Sequence, residues 1–139
     1  RVTGTLWVSG YLSLSNNAQV YQDANYGSAG GLVIVDGTSN LSNSSSFTGS
    51  GTEGSYIMLL STSSSGSAIV LDNNAGAVVL YAPNGTVQLS NGAAVKQISA
   101  KTISLSNNAT IDYEQGLINA SFSSGPTGGY NIQSWKEVE

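Results

Sequence analysis

Residues 105–111 read Leu-Ser-Asn-Asn-Ala-Thr-Ile, and this stretch decides the fold because near copies of it recur along the chain. Each copy has Leu first, Asn third and an apolar residue seventh. The five copies begin at Leu14, Leu41, Leu71, Leu89 and Leu105. Successive leucines lie 27, 30, 18 and 16 residues apart, in or near the range that is typical of solenoids. Unequal spacing around a constant core indicates loops of different length.

The residues before each copy alternate as strand residues do. In four copies an aliphatic residue stands two positions before the repeat leucine: Leu12, Ile69, Val87 and Ile103. Alternation of this kind gives a strand one aliphatic face. An earlier apolar run, such as residues 6–8 or 33–35, precedes most copies. Each repeat therefore predicts two or three short strands that are joined by tight corners.

These features predict an all-β chain that folds as a right-handed parallel β-helix, a solenoid of about five coils. Stacked coils would pair each strand with its equivalents above and below, so that aliphatic side chains form columns inside. We expect residues 1–118 to form the coils and residues 119–139 to form a tail that packs on the helix or caps it, with Trp135 as a capping residue.

Two other folds share some of these signals. Leucine-rich repeats place Asn three residues after the last leucine, whereas here it follows by two. An antiparallel β-sandwich would also supply short strands and turns, although it needs no repeat, and it stays the alternative.

The third position of the repeat predicts a structural ladder of asparagines. Its members are Asn16, Asn43, Asn73, Asn91 and Asn107. Asn tolerates the left-handed backbone conformation that a corner needs, and stacked Asn side chains can hydrogen-bond along a column.

Composition argues against catalysis. Ser, Gly, Asn and Thr make up almost half of the 139 residues, and charged residues make up only 9%. Without His there is no imidazole base, and without Cys there is no thiol nucleophile, disulfide or zinc-thiolate site. We therefore expect no enzyme, no catalytic residue, no cofactor and no metal.

Charge and hydropathy also limit the partners. The net charge is -4, and the four basic residues form no cluster, so a nucleic acid is a poor partner. Apolar runs such as residues 56–60 are too short to span a bilayer, so we expect no membrane segment in this fragment. The chain begins at Arg1 without an initiating Met, which suggests a piece whose targeting signal or anchor lay upstream.

Some side chains could still form a binding site. Asp112 and Glu114 would lie on the same side of a strand, as in a carboxylate pair or calcium site, although a solvated strand is the favoured interpretation. Stacking could bring Asp36 and Asp72 closer together. The aromatic residues Trp7, Tyr11, Tyr21, Tyr26 and Tyr56 could stack on sugars, or could cover the helix instead. Trp7 should point outward and lie under a loop or tail.

Part of the chain resembles a known family. The shared features are the corner Tyr81-Ala82-Pro83-Asn84, the strand Ala100-Lys101-x-Ile103-x-Leu105 and the late Ser134-Trp135-Lys136-Glu137. Over residues 66–137 the chain resembles the C-terminal domain of PilX-like bacterial type IV pilus-associated proteins, a domain of unknown function. That domain often has Gly in place of Asn107, and a His-Tyr-Asp run in place of residues 112–114.

The resemblance implies a β-helix in the bacterial cell envelope or outside the cell, and it carries over no catalytic residue. We expect a non-enzymatic structural or adhesive module that displays the loops 21–31, 44–54 and 61–67 from a rigid β-helix. Its partners would be pilus proteins, other cell-surface proteins or glycans. One alternative is a β-helix that binds or cleaves polysaccharide, and another is one that assembles into filaments.

Overall fold

The structure, a computed structural model, describes residues 1–114 and Leu117. It confirms an all-β chain, with helix confined in residues 1–114 to the 3-10 turn Ala24–Tyr26. The strands are β1 (Leu6–Val8), β2 (Leu12–Leu14), β3 (Gln19–Tyr21), β4 (Gly31–Val35), β5 (Ser39–Leu41), β6 (Ser46–Thr48), β7 (Ile57–Ser61), β8 (Ile69–Leu71), β9 (Val79–Leu89), β10 (Ala94–Val95), β11 (Gln97–Leu105) and β12 (Thr110–Ile111). The predicted tail, 119–139, and its capping residue Trp135 lie outside the described residues.

The repeats build three columns of parallel strands. Column A contains β1, β4, β7 and the first halves of β9 and β11. Column B contains β2, β5, β8 and the second halves of β9 and β11. Column C contains β3, β6, β10 and β12, and Gly76 bridges β6 to β10. Because β9 and β11 run through both columns, A and B form one eight-stranded sheet.

The register follows the sequence repeat. In column B, Leu14 pairs with Leu41, Leu41 with Leu71, Leu71 with Leu89 and Leu89 with Leu105. The copies that align in the sequence therefore lie side by side in space. This arrangement of parallel strands is compatible with the predicted solenoid.

The main core lies between the three columns and is built from the inward face of each strand. Val33, Leu59 and Leu80 come from column A, Leu71 comes from column B, and Phe47 comes from column C. These side chains are buried, whereas three inward side chains of the last repeat, in columns B and C, are exposed. The exposed ones are Ile103, Leu105 and Ile111.

A smaller cluster covers part of the outward face of column A. Tyr56, Met58 and Val79 pack there with Leu117. After β12, the described chain has therefore reached the outer side of column A by Leu117.

The corner between columns B and C is made by two consecutive residues with positive φ. The first is always the repeat asparagine, with φ between 47° and 54°. The second residues are Asn17, Ser44, Asn74, Gly92 and Asn108. Left-handed backbone is costly for most residues and cheapest for Gly and Asn, which explains why the corner uses them.

The predicted display loops extend into residues that form strands. Residues 46–48, inside the predicted loop 44–54, form β6. The connections observed are residues 22–30 and 49–56, which join column C to column A, and residues 62–68, which join column A to column B. The first two leave the same corner in adjacent repeats.

Candidate functional site

The connection 22–30 is fixed at its start by Asp23. The Oδ1 atom of Asp23 accepts a hydrogen bond from the backbone N–H of Asn25 at 2.9 Å and so caps the 3-10 turn. Its Oδ2 atom lies 2.9 Å from Nε of Arg1. The neighbouring Gln22 is buried, and its Nε2 atom has no hydrogen-bond partner among the described residues. These contacts hold the connection close to column C.

The connection 49–56 closes on itself and on its neighbour. The hydroxyl of Ser55 accepts from the backbone N–H of Ser50 at 2.9 Å and donates to the carbonyl of Ala29 at 2.9 Å. The hydroxyl of Ser50 donates to the carbonyl of Gly27. A Cβ atom at Gly49 would lie 1.9 Å from the carbonyl oxygen of Ser55, so only glycine allows this closure. Connections 22–30 and 49–56 therefore form one hydrogen-bonded unit.

A groove of about 750 Å³ lies beside this unit. It is lined by Gln19, Tyr21, Gln22, Thr48, residues 49–55, Tyr56 and Glu114. Gln19 and Tyr21 lie at exposed positions of β3, and Thr48 lies at an exposed position of β6. The strands thus supply the floor of the groove, and connection 49–56 supplies a wall.

The charged groups in the groove are carboxylates. Glu114 accepts a hydrogen bond from the hydroxyl of Tyr56 at 3.1 Å, and its other oxygen lies 3.8 Å from Nζ of Lys96. Burial, the hydrogen bond to Glu114 and the negative charges of Glu114 and Glu53 raise the pKa of Tyr56 above its usual 10.0. The Tyr56 hydroxyl is therefore a neutral donor at physiological pH.

The asparagine ladder runs along the corner between columns B and C. The Nδ2 atom of Asn43 donates to Oδ1 of Asn16 at 3.4 Å, and Nδ2 of Asn73 donates to Oδ1 of Asn43 at 3.2 Å. Nδ2 of Asn107 donates to Oδ1 of Asn91 at 3.0 Å. At the remaining step, Asn91 donates to Asp72 at 2.6 Å instead of to Asn73.

Asp72 is therefore an acceptor that the predicted ladder did not include. It also accepts from the hydroxyl of Ser90 at 2.8 Å. The hydrogen bonds from Ser90 and Asn91 hold the pKa of Asp72 below its usual 3.8. The ladder is a structural feature of the corner, and its amide groups are largely committed to one another.

Of the predicted acidic pairs, Asp112 and Glu114 meet at one lysine, whereas Asp36 and Asp72 stay apart. Asp112 and Glu114 were expected on one strand, but β12 ends at Ile111, and both carboxylates lie near Nζ of Lys96, at 3.7 and 3.8 Å. Asp36 follows column A and Asp72 follows column B, so stacking does not pair them. Among the described residues, no three acidic side chains are close enough to hold a metal ion together.

The predicted aromatic surface is divided among different places. Trp7 points outward, as predicted, and its Nε1 atom donates to Asp36 at 2.9 Å, but it is exposed and not covered by a loop. Tyr11 is also exposed, whereas Tyr56 is buried. Tyr21 alone of these is an exposed aromatic residue of the groove.

Gln22, Glu53 and Ser55 are groove residues that were not predicted from the sequence. Each is an isolated polar residue in a chain rich in polar residues, and no local motif marks it. One signal was present in the sequence: connections 22–30 and 49–56 both follow the third strand of a repeat. Adjacent inserts at the same corner must meet in a stack.

No family model, curated protein or solved structure matched this chain in the three comparisons. Within residues 1–114 and Leu117, no helical stretch has the length and hydrophobicity of a transmembrane helix.

Proposed function

We propose that this chain is a right-handed parallel β-helix of about five coils. The in-register pairing of five successive repeats supports this fold, because each repeat adds a strand or part of one to columns A and B, and a strand or a single bridge to column C. The handedness follows from the general rule that connections between parallel strands of one sheet are right-handed. An experimental structure with left-handed coils would contradict this proposal.

We infer that the β-helix is a non-enzymatic structural or adhesive module. The observation that carries this proposal is the hydrogen-bonded unit of connections 22–30 and 49–56, which projects from a regular stack. Loops on a rigid scaffold are the usual carriers of binding function. The core contains aliphatic side chains, and the corners contain Asn and Gly, so the connections are the part that is free to vary.

The proposed setting is the cell envelope or the extracellular side of a bacterium. The resemblance of residues 66–137 to PilX-like pilus-associated proteins supports this setting. The proposed partners are pilus proteins or other cell-surface proteins.

A retention assay tests the display role. The purified chain is immobilised and incubated with type IV pili purified from a bacterium that carries a PilX-like protein. We expect the pili to be retained, and we expect a variant with residues 50–54 replaced by two glycines to lose most of this retention. The hydrogen bonds of Ser50 to Gly27 and Ser55 are lost in that variant, so the outer part of connection 49–56 is removed and no core residue is changed.

The connection 62–68 offers a matched control because it lies at a different corner. It is held by its own contacts, including a 2.7 Å hydrogen bond from Nε2 of Gln88 to the carbonyl of Gly66. A variant with residues 63–66 replaced by two glycines should retain pili as the original chain does. Failure of the original chain to retain pili, or equal loss in both variants, would overturn the display role. Far-ultraviolet circular dichroism verifies that each variant is folded.

A further inference from the structure

We propose that the groove beside connection 49–56 binds an uncharged, hydroxyl-rich ligand, specifically a short stretch of neutral oligosaccharide. The proposal rests on the display role only for its biological setting. The groove itself is formed by connection 49–56 and the neighbouring strands. The proposal places the sugar contact on Tyr21, one of the five aromatic residues that were expected to be able to stack on sugars, at the corner where the two connections meet.

The walls of the groove are held by contacts within the chain. Its wall is closed at the base by the contact of Gly49 with Ser55 and is tied to the neighbouring connection through Ala29. Gly51 and Gly54 have positive φ, which shapes the outer part of the wall. A site that needs no reorganisation loses less conformational entropy on binding.

The chemistry of the groove suits sugar hydroxyls. Tyr21 offers an apolar ring that is 45% exposed, and the face of a sugar ring can pack on it. Gln19 and Thr48 offer neutral donors and acceptors beside it, and the carboxylates of Glu53 and Glu114 accept hydrogen bonds from hydroxyl groups. A few polar groups around an apolar surface are typical of small-molecule sites.

Charge selects among hydroxyl-rich ligands. Glu53 and Glu114 are the charged side chains of the groove lining, so a uronic acid or a phosphate would be repelled. Lys96 lies 3.8 Å from Glu114 and partly neutralises it, which weakens the attraction for a cation. An uncharged ligand fits this balance best.

Gln22 joins the floor of the groove to its wall. Its side chain lines the groove and is 3% exposed, yet its Nε2 atom has no hydrogen-bond partner among the described residues. The Oε1 atom of the same side chain accepts a hydrogen bond from the hydroxyl of Ser55 at 3.3 Å. Gln22 therefore holds connection 49–56 against the strands that form the floor.

Binding to immobilised oligosaccharides tests the proposal. The panel contains uncharged oligomers of glucose, galactose, mannose and N-acetylglucosamine, together with an oligouronate and an oligolysine peptide. We expect the chain to bind at least one uncharged oligomer more tightly than the oligouronate and the oligolysine. Tyr21→Ala should weaken that binding by about tenfold, since one aromatic contact is lost, and Tyr21→Phe should preserve it.

Tyr11→Ala is the matched control because Tyr11 is 76% exposed and does not line the groove. It should bind as the original chain does. Glu53→Gln should weaken binding several-fold, and it provides a second test if Tyr21→Ala does not fold. The proposal is overturned if no uncharged oligomer binds, if oligolysine binds best, or if Tyr21→Ala and Glu53→Gln both leave binding unchanged. Retention of pili is measured separately, so failure here leaves the display role standing.

Discussion

At the residue scale, the corner between columns B and C depends on two left-handed residues in every repeat. Asparagine fills the first place each time, but the second place varies, and Ser44 stands there in the second repeat with φ of 60°. Serine has neither the freedom of glycine nor the local hydrogen bonding of asparagine in this conformation. Ser44 is therefore the weakest of these corner residues.

This difference predicts opposite effects for two substitutions. Ser44→Gly should raise the free energy of unfolding by about 0.5 kcal/mol, because left-handed strain is relieved. Gly92→Ala should lower it by about 1 kcal/mol or more, because Gly92 has φ of 77° and a Cβ there would lie 2.5 Å from Oδ1 of Asn74. Urea unfolding measures both. Stabilisation by Gly92→Ala would contradict the account of the corner.

Asp72 predicts a dependence of stability on pH. Its pKa is lower in the folded chain than the usual 3.8, because Ser90 and Asn91 donate hydrogen bonds to it. As the pH falls, the unfolded chain therefore takes up the proton first, and the stabilisation present at neutral pH is lost from about pH 4 downward. We expect Asp72→Asn to lose less stability than the original chain between about pH 7 and about pH 3, measured by urea unfolding.

Asp112→Asn is the control for this measurement. Its side chain is largely exposed, and its carboxylate lies 3.7 Å from Lys96. It should keep the pH dependence of the original chain apart from a small change, since exposed ion pairs contribute little. The assignment to Asp72 fails if Asp72→Asn and the original chain lose equal stability.

At the same scale, the asparagine ladder could be predicted from the sequence, but the hydrogen bond from Asn91 to Asp72 could not. A repeat with Asn at one fixed place was enough to predict the column, because equivalent positions stack. The diversion of Asn91 to Asp72 depends on one difference between the copies, since the third copy has Asp at its second position and the other four have Ser. A carboxylate is a stronger acceptor than an amide oxygen, which accounts for the diversion.

At the scale of the elements, the register could be predicted, but the connections could not. Register follows from the repeat because a slip by one residue would turn every aliphatic side chain outward. The contact of Ser55 with Ala29 spans 26 residues and joins two segments that share no pattern. Isolated serines in a serine-rich chain give no signal of such a contact, so the groove emerged only from the structure.

The position of a core residue within a column predicts how much its side chain contributes to the free energy of unfolding. Ile69 and Ile103 occupy equivalent places in column B, each paired with Val87, but Ile69 is 0% exposed and Ile103 is 42% exposed. Ile69→Ala should cost about 2 to 4 kcal/mol of unfolding free energy, through lost burial and an internal cavity. Ile103→Ala should cost about 1 kcal/mol or less, because it removes a half-exposed side chain.

Chemical denaturation of Ile69→Ala and Ile103→Ala in parallel checks this difference in unfolding free energy. Ile69→Val is the matched control in the buried place, and it should cost about 1 kcal/mol because the cavity is small. Equal costs for Ile69→Ala and Ile103→Ala would mean that Ile103 is covered as completely as Ile69, against the exposure found here.

At the scale of the whole molecule, each repeat contacts its neighbours along the stack. The middle strands β7, β8 and β9 have a paired strand on both sides, whereas within the described residues β11 and β12 are paired on one side only. Stability in such a stack is a sum over repeats and the interfaces between them. Local opening should therefore be easiest at the last described repeat.

Amide hydrogen exchange measures this gradient. We expect the amides of β7 and β8 to exchange with nearly the free energy of global unfolding, and those of β11 and β12 to exchange through smaller openings. The exposed inward side chains Ile103, Leu105 and Ile111 give the physical reason, since less apolar area must be exposed to open that repeat. Substituting Ile69 by Val should then lower the protection of β7 and β8 while leaving that of β12 almost unchanged. Uniform protection from β1 to β12 would instead mean that the stack opens only as a single cooperative unit.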